Sequence, residues 1–368
     1  MGTDTIFSSA NWGMPFHFWS AVFFIFGCIV GSFLNVVIHR LPLEQSIVSP
    51  PSHCPHCKYS IPWYLNIPLV TWVTLGGKCA NCGAPISIRY FFVELLTGVA
   101  FLCCWLWFGH QSALLAIACC ILLSGFIAAS FIDFEHYIIP DEITLGGIVL
   151  GMLCSLIVPA LHGTKSPGRS LAQSFLGAIV GAALIYLILR LGKLFFGRQR
   201  VELPEASKVI FTETSLVLPD GEIAYEELFY RESDVVKVEA STAELCDRCY
   251  RDVSVRLMPS KLSIGEEELD PATVPYLEVA AKRLWLPREA MGLGDVKFMA
   301  AIGAFLGWQA VLFSLMASSI IGSIVGVGMI ALGKREMSGR LQYGPYIAIA
   351  AVIWIFGGAA WWQWFWRH

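Results

Sequence analysis

Charge is scarce in this 368-residue chain: 14% of it is Asp, Glu, Lys or Arg, 56% is hydrophobic, and the formal net charge is only -3. So small a balance argues for neither nucleic acid nor an acidic partner, and no DNA- or RNA-binding motif is present. The N-terminus, MGTDTIFSSANWGM, lacks the basic region and small-residue cleavage site of a removable signal peptide, so the first apolar run is expected to stay as an anchor. No compact internal repeat stands out. What the chain has in abundance is apolar length, and a mean hydropathy of +0.64 excludes an ordinary soluble globule.

A bilayer takes about 20 apolar residues to cross. Runs of that order stand near 18–38, 91–108, 112–132, 143–161, 171–191, 311–332 and 343–364, and a shorter one at 296–308 makes eight. The expected fold is therefore a polytopic α-helical membrane protein of about eight transmembrane helices. Arg40, Lys58, Lys78, Arg89, Lys193, Arg198, Arg200, Lys334, Arg335 and Arg340 would share one side, whereas the opposite loops carry little beyond Lys165, Arg169 and Arg367. The positive-inside rule makes the first set cytoplasmic and both termini external.

These runs divide the chain into five expected parts: a tail and first helix at 1–38, a cytoplasmic cysteine-rich segment at 39–90, helices two to five at 91–191, a soluble cytoplasmic insert at 192–290, and the last three helices at 291–368. Gly307 to Gln309 is the expected turn between helices six and seven. Within the insert, KVIFTETSLVLPDGEIAYEELFY alternates polar and apolar residues around Pro-Asp-Gly, which predicts a hairpin, and VPYLEVAAKRLW predicts an amphipathic helix. The insert is thus expected to be a small α+β unit.

Six of the twelve cysteines, Cys28, Cys103, Cys104, Cys119, Cys120 and Cys154, fall inside apolar runs, where a thiol packs as a small hydrophobe. The other six form three CxxC pairs in segments expected to face a reducing compartment, which favours metal over disulfides. Cys54 and Cys57 make one knuckle and Cys79 and Cys82 a second, with 21 residues between them. Two knuckles supply the four thiolates of a tetrahedral Zn²⁺ site, and a closed site of this kind is structural rather than catalytic. A segment this short and rich in Pro, Trp and Gly is expected to need metal to fold. His53 and His56 flank the first knuckle as supporting or surface residues. The third pair, Cys246 and Cys249, has no partner pair beside it; a partial metal site, a redox pair and two idle thiols stay open, the last preferred.

Two acids stand at the ends of apolar runs. Asp133 closes the third and Asp295, in MGLGDVKFMAAIGAFLGW, opens the sixth. By the charge assignment both ends are cytoplasmic, so the two can meet. An ionisable residue near hydrocarbon is costly and is a functional candidate for that reason. Two such acids held close titrate as a coupled pair sharing one proton. Aspartyl proteolysis uses that state: the ionised acid takes a proton from water while the protonated one polarises the scissile carbonyl. Asp295 taken alone reads equally well as a helix N-cap, but Gly292 and Gly294 before it permit close backbone approach to the carboxylate. Asp141 and Glu142, after Pro140, read as a helix start. From Asp295 to Trp308 a helix of 14 residues covers only about 21 Å, short of a hydrocarbon core of about 30 Å, so its start should lie recessed below the cytoplasmic surface.

Several separate motifs, in order, resemble the bacterial type IV prepilin peptidases, membrane aspartyl proteases with a GxGD signature. They are GSFLNVVIHRLP at 31–42, the paired knuckles with WYLNIPLVTW and GGKC between them, APISIRYFFVELLTG at 84–98, DFEHYIIPDEIT at 133–144, GLGDVK at 292–297 and GPYIA at 344–348. The resemblance implies that Asp133 and Asp295 are the catalytic pair. It also implies cleavage of the basic leader of type IV prepilins or type II secretion pseudopilins after a glycine, at the cytoplasmic face of the bacterial inner membrane. Methylation of the new N-terminus with S-adenosylmethionine is implied as well, although no glycine-rich loop after a strand supports it independently. Glu94 matches the family's VELLTG and reads equally as a first-turn acid favoured by the helix dipole. Asn35 and Arg40 match too, with snorkelling as the alternative for Arg40; Lys297 is expected to anchor rather than catalyse. The departure is the insert, which leaves 161 residues between Asp133 and Asp295. The competing function is a non-proteolytic assembly or transport protein that binds partners through its zinc segment and insert.

Overall fold

The computed structural model describes residues 15–196, 198–219, 221–229, 234–245, 248–287, 292–332 and 342–365. Cys246, and the basic residues Lys334, Arg335, Arg340 and Arg367, lie outside them. The chain divides into two compact units, Met1–Tyr186 with Gly292–His368, and Leu187–Met291.

The first unit is helical. Its elements are α1 (Phe16–Arg40), the short α2 (Val70–Thr74), α3 (Ile88–Phe108), α4 (Ala113–His136), α5 (Asp141–Ile157), α6 (Pro167–Phe196, whose last turns belong to the other unit), α8 (Leu293–Leu306), α9 (Trp308–Ala331) and α10 (Gly344–Ile353). A π turn at Trp354–Gly358 carries α10 into α11 (Ala359–Phe365). Helix starts follow their local chemistry: Ser87 accepts the Arg89 N–H at the head of α3, and Ser112 that of Leu115 at the head of α4.

Among the described residues six helices are long and apolar enough to cross a membrane. The expected count of about eight is not reached on this measure, because the fourth and sixth apolar runs fold into α5 and α8, of 17 and 14 residues. Those two pack on one another, Gly147 of α5 facing Ala301 and Gly151 facing Ala304 and Phe305 of α8. The turn after α8 is tighter than expected: Gly307 alone, at φ 82°, separates it from Trp308, the first residue of α9.

With no hydrophobic drive between helices in lipid, close packing of small residues is what joins them. Two seams do this. On α1, Gly27 and Gly31 lie against the backbone of Gly98 and Glu94 of α3; a Cβ on either would stand 2.8 or 2.7 Å from the facing Cα. On α6, Gly177 and Gly303 of α8 press carbonyl against Cα in both directions, and Ser174 donates to the Ala304 carbonyl at 2.7 Å. Phe298 to Phe305 are consequently all buried.

The second unit is an eight-stranded antiparallel sheet in the order β3-β2-β1-β8-β4-β5-β6-β7. In chain order β1 is Arg198–Phe211, β2 Ser215–Leu218, β3 Gly221–Ala224, β4 Val236–Glu244, β5 Cys249–Met258, β6 Lys261–Ile264, β7 Glu267–Leu269 and β8 Leu277–Pro287, with one helical turn, α7 (Tyr225–Leu228). The expected hairpin is present, Leu218 pairing with Gly221. The helix expected over VPYLEVAAKRLW is not. It forms β8, a central strand between β1 and β4 whose Leu277, Val279, Ala281 and Leu284 point into the core. The run has an alternating face as well as a helical one, and two neighbouring strands that satisfy its backbone decide between them.

Candidate active site

Asp133 occupies the last turn of α4 and is buried. The helix stops four residues later because Tyr137 turns left-handed at φ 58°, and the chain runs out to Pro140 before α5 begins. Asp295 sits at the third position of α8, behind an N-cap at Gly292. It is therefore not the N-cap; its carboxylate reaches back to accept the Gly292 N–H at 3.3 Å.

Ile139 brings the segments together. A Cβ on Gly294 would stand 3.3 Å from the Ile139 Cβ, and one on Gly344 would stand 3.0 Å from its Cδ1 and 2.7 Å from Oδ2 of Asp133. The Gly344 N–H, at the start of α10, donates to that Oδ2 at 3.1 Å. Sequence reasoning assigns Gly344 no role. The available signal was Gly-Pro at the head of an apolar run, a helix start that leaves backbone donors free beside it.

The other matched residues hold the frame. Lys297 binds both oxygens of Asp141 at 2.6 and 2.8 Å, joining α8 to α5 as an anchor. Asp141 is the first helical residue and makes no side-chain cap. Asn35 donates to the Tyr90 carbonyl at 3.0 Å. Arg40 is buried with its guanidinium on the Ser46 carbonyl, which replaces the snorkelling alternative. Glu94 lies two turns inside α3, so the first-turn reading fails; its buried carboxylate accepts the Leu69 N–H at 2.7 Å and ties the cysteine-rich segment to α3.

In that segment the Sγ atoms of Cys54, Cys57, Cys79 and Cys82 lie within 4.8 Å of one another. The two knuckles are built alike. Cys54 and Cys79 each receive a backbone bond from the fourth residue on, Lys58 or Gly83, and each donates to the fifth, Tyr59 or Ala84. The fourth residue is left-handed in both, Lys58 at φ 58° and Gly83 at φ 70°. The sulfurs of Cys54 and Cys82 are 3.8 Å apart and those of Cys57 and Cys79 4.0 Å. A tetrahedron with Zn–S bonds of about 2.3 Å has edges of about 3.8 Å, so the donor set fits zinc. Asn81 donates to Cys57 Sγ at 3.6 Å, and that bond leads in lowering its thiol to about 6, which favours the thiolate a metal binds. His53 instead faces the Pro51 carbonyl. Cys249 is an exposed free thiol in β5.

One cavity among the described residues of the helical unit does not suit S-adenosylmethionine. A lateral cavity of about 200 Å³ bordered by α1, α4, α5 and α8 is lined by Leu34, Ile121, Leu150, Phe298 and Phe305, with Glu142 among its few polar residues. It offers hydrocarbon where a sulfonium nucleoside needs polar partners.

Comparison with known proteins follows the same two blocks of helices. A model described as the bacterial peptidase A24 N-terminal domain matches residues 25–108, and one described as the type IV leader peptidase family matches 120–198 and 274–327. The chain is 41% identical over 172 residues to a prepilin leader peptidase/N-methyltransferase of Myxococcus xanthus, an alignment covering 46% of this chain and 47% of that protein. To proteins of the same name from Aeromonas hydrophila and Pseudomonas aeruginosa it is 26% identical, over 96% and 90% of this chain and 95% and 88% of theirs. No solved structure matches. Two family models in sequence order, together matching more than half of the residues, and relatives aligned nearly from end to end place this chain in the type IV leader peptidase family.

Proposed function

We propose that this protein is a membrane endopeptidase that removes the leader from type IV prepilins or related pseudopilins, with Asp133 and Asp295 as its catalytic pair. The observation that carries the reading is the convergence of the two acids from α4 and α8 beside Ile139, each carboxylate held by a backbone N–H, Gly344 for one and Gly292 for the other. Held so, the pair shares one proton. The ionised member takes a proton from water as it attacks the scissile carbonyl, and the protonated member donates to the carbonyl oxygen. A helical substrate must unwind locally to present that bond. The acids stand at helix ends, so the cleavage point falls at the membrane boundary, which we assign to the cytoplasmic face of the inner membrane.

Cys54, Cys57, Cys79 and Cys82 would hold a structural Zn²⁺ that folds the segment facing the leader; with four thiolates it leaves no open position for chemistry. Gly292 and Gly294 keep the approach to Asp295 free of side chains. Methylation of the new N-terminus is carried over from the names of the relatives, and no step of it is derived from residues here.

The test is cleavage of a purified pilin precursor in detergent by Asp133→Asn and Asp295→Asn, each shown to be folded by thermal unfolding. Loss of one general acid or base costs about 10²- to 10⁴-fold; cleavage at the parental rate by either variant refutes the pair and revives the non-proteolytic reading. A labelled methyl donor in the same reaction decides methylation separately, since cleavage without label transfer removes it.

A further inference from the structure

Residues 342–344 are tied to three different places in three consecutive steps. Gln342 Nε2 donates to the carbonyl of Phe134, the residue after Asp133, at 3.3 Å. Tyr343 Oη lies 2.9 Å from Ser318 Oγ and 3.0 Å from Ser319 Oγ on α9. Both serines can donate to the Leu315 carbonyl, which leaves the single proton of the tyrosine hydroxyl for one of their two oxygens at a time. Gly344 N–H then donates to Asp133 Oδ2 at 3.1 Å.

Donor accounting at the head of α10 makes that last bond specific. A helix start leaves its first N–H groups without intrahelical partners. Here Pro345 has none to offer, and the N–H groups of Tyr346 and Ile347 both bond the Tyr343 carbonyl. Gly344 alone of these first four residues has a donor to spare, and it is aimed at Asp133. The residue is also the one type that fits, since a Cβ there would stand 2.7 Å from Oδ2 and 3.4 Å from Cγ of the same carboxylate.

We propose that Gly344 is a positioning residue for the peptidase reaction, holding Asp133 by its N–H and leaving Oδ1 for the chemistry, with Tyr343 and Gln342 as the strap that fixes it between α4 and α9. The inference rests on the reading of Asp133 as catalytic. It gives the strap a job in turnover and none in substrate binding, so its signature is a lower kcat at constant KM.

The test uses the full-length protein in detergent with a purified pilin precursor, alongside Asp133→Asn. Gly344→Ala keeps the N–H but displaces the carboxylate, and a displacement on the order of 1 Å costs about 10²-fold in kcat. Tyr343→Phe, which removes the hydroxyl that binds this serine pair and adds no atoms, should lower kcat about fivefold with KM unchanged, one hydrogen bond being worth about 1 kcal/mol. The double variant Gly344→Ala/Ile139→Val separates two causes, because it removes the Ile139 Cδ1 that the new methyl would meet and leaves Oδ2 where it is. Persistence of the kcat loss supports the proposal, whereas recovery assigns the effect to packing against Ile139 and overturns it. Parental kcat in Gly344→Ala or Tyr343→Phe, or a loss expressed in KM, also overturns it. Parental cleavage by Asp133→Asn is a different failure, that of the catalytic pair itself. Should Gly344→Ala fail to fold, Tyr343→Phe alone decides.

Discussion

Gly303→Ala adds one methyl group about two turns from Asp295, and the structure says why that should stop the enzyme without unfolding it. The Cα of Gly303 presses on the Gly177 carbonyl of α6, and the reverse contact is equally close. A Cβ there overlaps the oxygen, and restoring an ordinary carbon–oxygen contact requires α8 and α6 to part by on the order of 1 Å. Overpacking of this kind costs about 1–3 kcal/mol, less than the usual margin of about 5–15 kcal/mol, so the protein stays folded. The site does not share that tolerance. Asp295 rides on the same helix eight residues away, about 12 Å along a rigid rod, and moves with it. On its proposed catalytic role, misplacing Asp295 by about 1 Å costs about 10²-fold. The assay is kcat for a pilin precursor per folded enzyme, with the folded fraction taken from thermal unfolding. Gly146→Ala on α5 is the control, because a Cβ there meets nothing within 4 Å; it should stay within about twofold of the parent, the effect of about 0.5 kcal/mol expected where no contact changes. Parental turnover by Gly303→Ala, or an equal loss in Gly146→Ala, refutes the reasoning.

Metal analysis of the purified protein should find about one equivalent of zinc, and a strong chelator should open residues 39–90 to protease while the helices stay protected; near-zero zinc removes the four-cysteine site. Lys58→Gly should tighten metal retention in a chelator competition, because a left-handed non-glycine residue costs about 1–2 kcal/mol. Gly83→Ala at the matching place in the other knuckle, where a Cβ has open space, should weaken it by a similar amount. Lys297→Ala removes a half-exposed pair with Asp141 and should lower stability by no more than about 1 kcal/mol; a larger loss shows that the α5–α8 junction depends on it. His162, in the turn between α5 and α6 with Nδ1 on Ser170 Oγ, has its pKa lowered to about 4 by burial. Between the ordinary value of 6.5 and that point the unfolded chain takes up a proton that the folded one refuses, so this contribution to stability is complete above 6.5 and is lost as pH falls toward 4. Unfolding midpoints across that window should fall less steeply for His162→Gln than for the parent.

Much of this architecture is legible in the sequence wherever one property decides the outcome. Apolar runs become helices with ends close to those expected, because a backbone in hydrocarbon has nowhere else to make its hydrogen bonds. The two CxxC pairs converge because each knuckle closes locally, within six residues. The meeting of Asp133 with Asp295 is readable from two acids at the ends of apolar runs. What is not readable depends on neighbours far along the chain. β8 is a strand because β1 and β4 flank it. α8 is short because α5 and α6 bury it nearly all round, so no lipid-facing length is required of it. The role of Glu94 waits on Leu69, whose left-handed φ of 63° turns its N–H toward the carboxylate. The placing of Gly344 waits on the fate of three other backbone donors.

One consequence concerns the length of chain that separates the acids. The Gly344 N–H holds Asp133, the Gly292 N–H holds Asp295, and Ile139 packs against Gly294 and Gly344. All belong to the helical unit, and so do the α6–α8 seam at Gly177 and the Lys297–Asp141 pair. The β-sheet unit enters none of these contacts, and the family model that matches both flanks passes over 199–273. Loop closure grows only logarithmically in cost, about 0.6 kcal/mol for each doubling of length, and a folded insert pays less than a flexible one because its own sheet already holds its ends. The contacts that position the acids are therefore local to the helical unit, whatever the length of chain inserted between them. Among the described residues Ile139 lies against both Gly294 and Gly344, so the segments that carry the two acids close on one side chain of the helical unit.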